Sequence, residues 1–165
     1  MAMSYVLEAQ RIVVHAGARV TWRNNDNLTH TVQVDGQDSS ETWAAFRVAR
    51  RARPFGVRHG ADDECVWLEA AHDGYRRLRG SVVHKRTWEL YHDRLVITDH
   101  LDGDFQSARL FLHLHPDVEP DGRAGRSVTA GANGQRITVT TNAEAGLTVE
   151  PSSWHPEFGR TLPTS

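Results

Sequence analysis

The chain has 165 residues and a formal net charge of −2, enough length for one domain with its own apolar core. That charge points to neither a nucleic-acid partner nor a membrane surface. A lone cysteine, Cys65, rules out an intrachain disulfide, and no apolar stretch approaches the length of a membrane-spanning helix. Met1 to Gln10 lacks a basic start followed by an apolar run, so no signal peptide is visible and the compartment is left open. Eighteen of the nineteen basic residues are Arg, and only Lys85 is Lys. Arg is a planar, bidentate partner for carboxylate and sulfate; a GC-rich genome gives the same bias.

In chain order, the dominant period is two, the mark of half-buried strands. Arg11 to Val14 is a short strand, Ala16-Gly17 breaks it, and Arg19 to Trp22 resumes. Asn24 to Asn27 is a turn cluster. His30 to Asp35 alternates, with Val32 and Val34 on one face and Thr31 and Gln33 on the other, and Asp35-Gly36 turns. Cys65 to Ala70 reads as a strand and makes Cys65 a buried thiol. His84 to Tyr91 and Arg94 to Thr98 read as two strands joined by a tight turn at His92-Asp93. Ala108 to His115 is the clearest strand, ended by Pro116. Its Leu110, Leu112 and Leu114 share one face, and Arg109, Phe111, His113 and His115 share the other. Glu119 to Gly134 reads as loop with one short strand near Ser127 to Thr129. Gln135 to Thr141 and Leu147 to Glu150 complete the set. Many short strands split by Gly, Asp and Pro turns predict an all-β, antiparallel β-sandwich. One domain, 1–165, is expected, with atypical strands over 1–30.

Candidate sites follow from residue types. Arg47, Arg50 and Arg51, with Arg53 and Arg58, form a basic stretch that suits an anionic glycan or a partner domain; its plain alternative is a solvated face. His113 and His115 sit two apart, but no carboxylate or third His is tied to them by sequence, so they read as an outer polar face. His72 and Tyr75 are types used in acid–base chemistry, yet are read as support for the fold. There is no nucleophile elbow, phosphate loop or CxxC pair.

The ordered elements Thr31-Val32-Gln33-Val34-Asp35-Gly36, Trp43 with Phe46-Arg47 and Arg50-Arg51-Ala52, His72-Asp73-Gly74-Tyr75, Val83-His84-Lys85-Arg86, Leu95 to Asp99, Phe111 to Pro116 and Trp154 to Gly159 resemble the C-terminal β-sandwich of heparinase II/III-like polysaccharide lyases. The resemblance implies β-elimination of acidic, uronate-containing polysaccharides. It also implies an (α/α) toroid partner domain that carries most of the chemistry, and a structural metal, zinc in the family. The family's Gly-His-Gly-His-type segment is missing, so the chain is expected to be inactive alone. The resemblance offers His30 as a metal ligand, although His30 falls where the family pattern His-Asn-Thr-Val places its Asn. Without the toroid, some apolar surface is expected to be exposed.

Residues Arg11 to Val32 also resemble the first half of a cupredoxin. That likeness would make His30 a copper ligand, with Cys65 and His72 as the nearest further candidates. A small copper protein centred on His30, or a stand-alone module that binds anionic glycans, are the alternatives to a lyase domain.

Overall fold

A computed structural model describes residues 5–14, 32–44, 47–132, 134–142, 145–157 and 160–164. The strands are β1 (Tyr5–Val14), β2 (Val32–Val34), β3 (Gln37–Asp38), β4 (Glu41–Ala44), β5 (Arg47–Arg50), β6 (Pro54–Ala61), β7 (Cys65–His72), β8 (Val83–Tyr91) and β9 (Arg94–Asp102). They continue as β10 (Ala108–Leu110), β11 (Glu119–Asp121), β12 (Ala124–Gly125), β13 (Ser127–Ala132), β14 (Gln135–Thr140), β15 (Leu147–Thr148), β16 (Ser152–Glu157) and β17 (Arg160–Thr164). A single 3-10 turn, Gly74–Arg77, is the one helical element among the described residues. The fold is the expected all-β antiparallel sandwich.

Eight strands form the main sheet in the order β11-β13-β14-β1-β9-β8-β7-β6, and three form a smaller sheet, β10-β2-β3. Two local signals fix much of the register. His92-Asp93 is a two-residue loop that pairs Leu90 with Leu95, and the Arg94 guanidinium lies 3.9 Å from the centre of the Tyr91 ring across it. Asp35 and Gly36 both have positive φ, 50° and 71°, as a two-residue hairpin turn requires. The Asp35 carboxylate accepts the backbone N–H groups of Gln106 and Ser107, each at 2.8 Å, which ties this turn to the strand beside it.

The core consists of two apolar clusters against one face of the main sheet. Leu95, Ile97 and Val139 form one, with Trp88, Leu112 and Leu147 against them. Val32, Val34, Tyr75, Val82 and Leu101 form the other. Both lie on the face of β9 that carries Leu95, Ile97, Asp99 and Leu101, the alternation expected of a strand with one buried side. The sheet edges are blunted. β11 contains Pro120, while β6 begins at Pro54 and has a register shift between Phe55 and Arg58.

Several sequence expectations need correction. The strand predicted from Ala108 to His115 stops at Leu110. Its last pair sets Leu110 opposite Val32, and the residues before Val32 lie outside those described. The 119–134 stretch holds three strands and not one, because β11 pairs with β13 and β12 with β15. Cys65 is half-exposed and not buried. It starts β7 at an end of the sheet where Val66, Leu68 and Leu90 are 58%, 39% and 56% exposed. The expected strand Arg19 to Trp22 and His30 lie outside the described residues.

Candidate functional site

Period-two geometry places four polar side chains in the middle of the core face. Along β7, β8 and β9 the cross-strand neighbours are His72 with His84, His84 with Leu101, and Arg86 with Asp99. All therefore project to the side that carries Leu95, Ile97 and Leu101. His84, Asp99 and Arg86 are 3%, 4% and 8% exposed. Charges at such depth persist only when paired.

The pairing is complete. Arg86 donates from Nε to Asp99 Oδ1 at 2.7 Å and from Nη2 to Oδ2 at 2.9 Å, a two-pronged guanidinium–carboxylate bond. His84 Nε2 lies 2.5 Å from the same Oδ1. His84 Nδ1 lies 2.9 Å from His72 Nε2, with the two rings edge-on. The backbone N–H of Gly74 donates to His72 Nδ1 at 3.2 Å. These partners assign the tautomers. His72 Nδ1 accepts, so its proton sits on Nε2 and is donated to His84 Nδ1. The His84 proton then sits on Nε2 and is donated to Asp99. The result is a one-way chain of donors from Gly74 to a carboxylate clamped by Arg86.

Electrostatics follow the geometry. Burial pushes the His72 ring down to about 4, helped by His84 and Arg86 and opposed by Asp73 and Asp99. Burial also pushes the Asp99 carboxyl up, but hydrogen bonds from His84 and Arg86 and the Arg86 charge outweigh it, so the group ends below its ordinary value. At neutral pH the chain is a neutral His72 leading to an ionised Asp99.

Tyr75 closes the cluster from the 3-10 turn. Its hydroxyl donates to the Val32 carbonyl at 2.5 Å, which joins the turn to β2, and its ring centre lies 5.3 Å from that of His72. Burial, then the Asp38 charge, pushes the phenol far above its usual range. The turn itself depends on Gly74, where a Cβ would come within 2.3 Å of the Ser39 carbonyl oxygen. Asp73 Oδ1 accepts the Arg53 backbone N–H at 2.8 Å and fixes where β6 begins.

The basic stretch lies elsewhere. Arg47 and Arg50 are exposed on β5, and Arg51 follows them, also exposed. Glu41, on the partner strand β4, lies 3.4 Å from Arg50 Nε and accepts the Trp43 indole N–H at 2.8 Å. Trp43 is 72% exposed. Arg58 is separate from this group: it is engaged by Glu69, which also meets Lys85 at 3.4 Å. His113 and His115 are exposed, as read from sequence.

Cys65 and His72 occupy opposite ends of β7, about 23 Å apart at the usual strand rise, so they cannot share a metal ion. Among the described residues no group of three or more His, Cys, Asp or Glu is placed to hold a metal ion. His30, offered as a ligand by both resemblances, lies outside those residues.

Sequence reasoning named His72 and Tyr75, but not His84, Arg86 and Asp99 as their partners. A signal was present. In Leu95-Val96-Ile97-Thr98-Asp99-His100-Leu101 the carboxylate falls in phase with the apolar residues, and a buried carboxylate needs a cation on a neighbouring strand.

One family model, described as Heparinase II/III-like, C-terminal, matches residues 8–165. No curated protein and no solved structure matches the chain.

Proposed function

The chain belongs to the heparinase II/III-like C-terminal family, and from that premise we propose that it is the non-catalytic β-sandwich part of a lyase that β-eliminates acidic, uronate-containing polysaccharides. The observation that carries this reading is the internal satisfaction of its acid–base cluster. A general base or acid must reach the substrate proton it moves. Here the Tyr75 hydroxyl is spent on Val32, both His84 nitrogens are spent on His72 and Asp99, and Asp99 is spent on Arg86. The cluster holds three strands of the main sheet and the 3-10 turn in register, which suits a scaffold. The uncovered apolar strip Val66, Leu68 and Leu90 supports a partner domain, the (α/α) toroid of the family, seated on that end of the sheet.

The pure chain, incubated with uronate polymers such as heparin, alginate or hyaluronan, is expected to release no unsaturated uronate. Ultraviolet absorbance of the new double bond is the readout, and turnover by the chain alone would overturn the non-catalytic reading.

The contribution to substrate in this reading comes from the β4–β5 hairpin, through Arg47, Arg50 and Arg51. Exposed guanidinium groups beside an exposed indole suit the sulfates, carboxylates and flat ring faces of an acidic glycan. Retention on immobilised heparin is expected to fall with salt. Arg50→Ala combined with Arg51→Ala should weaken it about fivefold, from two surface charge contacts at a few tenths of a kcal/mol to 1 kcal/mol each. Unchanged elution of that variant would remove the hairpin from the glycan surface.

A further inference from the structure

The β4–β5 hairpin has no core to rest on. Its two strands form a sheet of their own, every residue of β5 is exposed, and Trp43 is 72% exposed. A two-stranded ribbon is marginal in water by itself. Its order must therefore come from its feet, residues 38–40 before β4 and 51–53 after β5.

One element holds both feet: the 3-10 turn Gly74–Arg77 with Asp73 before it. Arg77 donates from Nη2 to the Asp38 carbonyl and from Nη1 to the Ser39 carbonyl, the latter at 3.3 Å. Nη1 also reaches the Gly74 carbonyl of its own turn. On the other foot, Asp73 engages the Arg53 backbone in both senses. Its Oδ1 accepts the Arg53 N–H at 2.8 Å, and its N–H donates to the Arg53 carbonyl at 3.3 Å. Ser40 Oγ accepts the Ala52 N–H at 3.1 Å and ties one foot to the other. Gly74 sits against both, since a Cβ there would come within 2.3 Å of the Ser39 carbonyl oxygen and 2.8 Å of the Ala52 Cβ. The turn is itself seated on the buried cluster, because His72 accepts the Gly74 N–H and Tyr75 bonds to Val32.

Arg77 is thus a half-buried cation whose donors go to backbone carbonyls. A planar guanidinium can span two successive carbonyls, and a lysine ammonium is a point donor that does not reproduce the fork. Above the feet, Glu41 accepts the Trp43 indole N–H and lies beside Arg50 Nε, so the groups on offer are oriented once the feet are fixed. Groups ordered before binding lose less freedom on binding.

We propose that Arg77 is a positioning residue for the anionic-glycan surface: it clamps the foot of the β4–β5 hairpin and presents Trp43, Arg50 and Arg51 in one arrangement, without touching the ligand. The proposal rests on the reading of that hairpin as the glycan contact.

The test uses the whole chain, a heparin hexasaccharide, and the variants Arg77→Met, Arg77→Lys and Ser40→Ala. In the free protein, heteronuclear NOE values of the Glu41, Trp43, Val48 and Arg50 amides should fall in all three, while those of Trp88 and Ile97 in the main sheet hold. Both Arg77 variants should bind the hexasaccharide about fivefold more weakly, the cost of ordering a long side chain or two at the moment of binding. On a polyanion the slope of log affinity against log salt follows the number of charges contacted. That slope should match the wild type in Arg77→Met and drop in Arg50→Ala with Arg51→Ala. If Arg77→Met does not fold, Arg77→Lys and Ser40→Ala carry the test. Three results would overturn the proposal: hairpin amides as ordered in the variants as in the wild type; a salt slope reduced in Arg77→Met, which would make Arg77 a direct contact; or wild-type affinity in Arg77→Lys, which would leave only its charge at work. If the wild type does not bind the hexasaccharide, the glycan reading fails, and the amide measurements alone decide whether Arg77 clamps the hairpin.

Discussion

Asp99→Asn should destabilise the chain by about 3–5 kcal/mol, the usual cost of removing one partner from a buried ion pair. The substitution keeps the shape of the side chain and leaves its oxygen to accept from His84 Nε2, now 2.5 Å away. It removes the charge and turns one acceptor oxygen into an N–H donor. Arg86, 8% exposed, then stays in the core with no counter-charge and with two donors, Nε and Nη2, one of which faces an amide. For a chain of this length the corresponding drop in Tm is on the order of 10 °C. Adding Arg86→Met to Asp99→Asn takes away the stranded cation and fills the space beside Trp88, whose ring now lies under the guanidinium at 5.8 Å. The double variant should recover most of the loss, because a buried pair replaced as a whole is close to neutral. Thermal or denaturant unfolding of the wild type, both single variants and the double variant measures the coupling. If Asp99→Asn costs less than about 1 kcal/mol, or if the two losses simply add, then the pair does not organise the core.

This expectation bears on function as well as stability. A carboxylate and an imidazole at this depth, beside a tyrosine, resemble an acid–base centre in composition alone. What separates a centre from a scaffold is whether any of the groups has bonding capacity left for a substrate. The one-way donor chain from Gly74 through His72 and His84 to Asp99 uses both nitrogens of each ring, so the arrangement is closed. The open surfaces are elsewhere: the β4–β5 hairpin with Trp43 and Arg50, and the apolar strip around Leu68.

Local features were legible in the sequence and non-local ones were not. The β8–β9 hairpin and the Asp35-Gly36 turn follow from two-residue loops between alternating segments, which are set by a few neighbouring residues. The length of β10 does not follow from its own alternation, because a strand is defined by its pairing, which runs from Ala108 to Leu110, while Leu112 and Leu114 keep the period without belonging to the strand. Burial shows the same limit. Cys65 and Val66 look like core residues by type, but Cys65 is half-exposed and Val66 is 58% exposed. Arg58 reads as one of a basic run, yet the fold hands it to Glu69 across the β6–β7 ladder. The cross-strand partner of His72, His84, is twelve residues away in sequence, and Asp99 lies fifteen beyond that. They become visible only when β7, β8 and β9 are laid side by side, at which point Asp99 in an apolar phase stops being an oddity and becomes a requirement for Arg86.

Acid should unfold the chain in two adjoining pH windows. His72 is held down to about 4 in the folded state, against an ordinary value of 6.5. Between those values the unfolded chain binds a proton that the folded chain refuses, so stability falls as pH drops from 6.5 towards 4 and is flat with respect to this group above 6.5. The proton has one place to go, His72 Nδ1, where it would displace the Gly74 N–H and set a positive ring beside His84 and Arg86. A full shift of that size corresponds to about 3 kcal/mol; His72 is only part-buried, and solvent screening reduces the expected loss to about 2 kcal/mol. Asp99 acts below that window. Its carboxyl is held under its ordinary 3.8 despite burial, so its contribution is present above that value and disappears as pH falls further. Unfolding midpoints measured from pH 7.5 down to 3 should therefore decline first through the His72 window and then more steeply. In His72→Gln, which cannot take up the proton, the decline between 6.5 and 4 should shrink while the lower one remains. Parallel profiles for the two proteins across the upper window would mean that some other group sets the acid response.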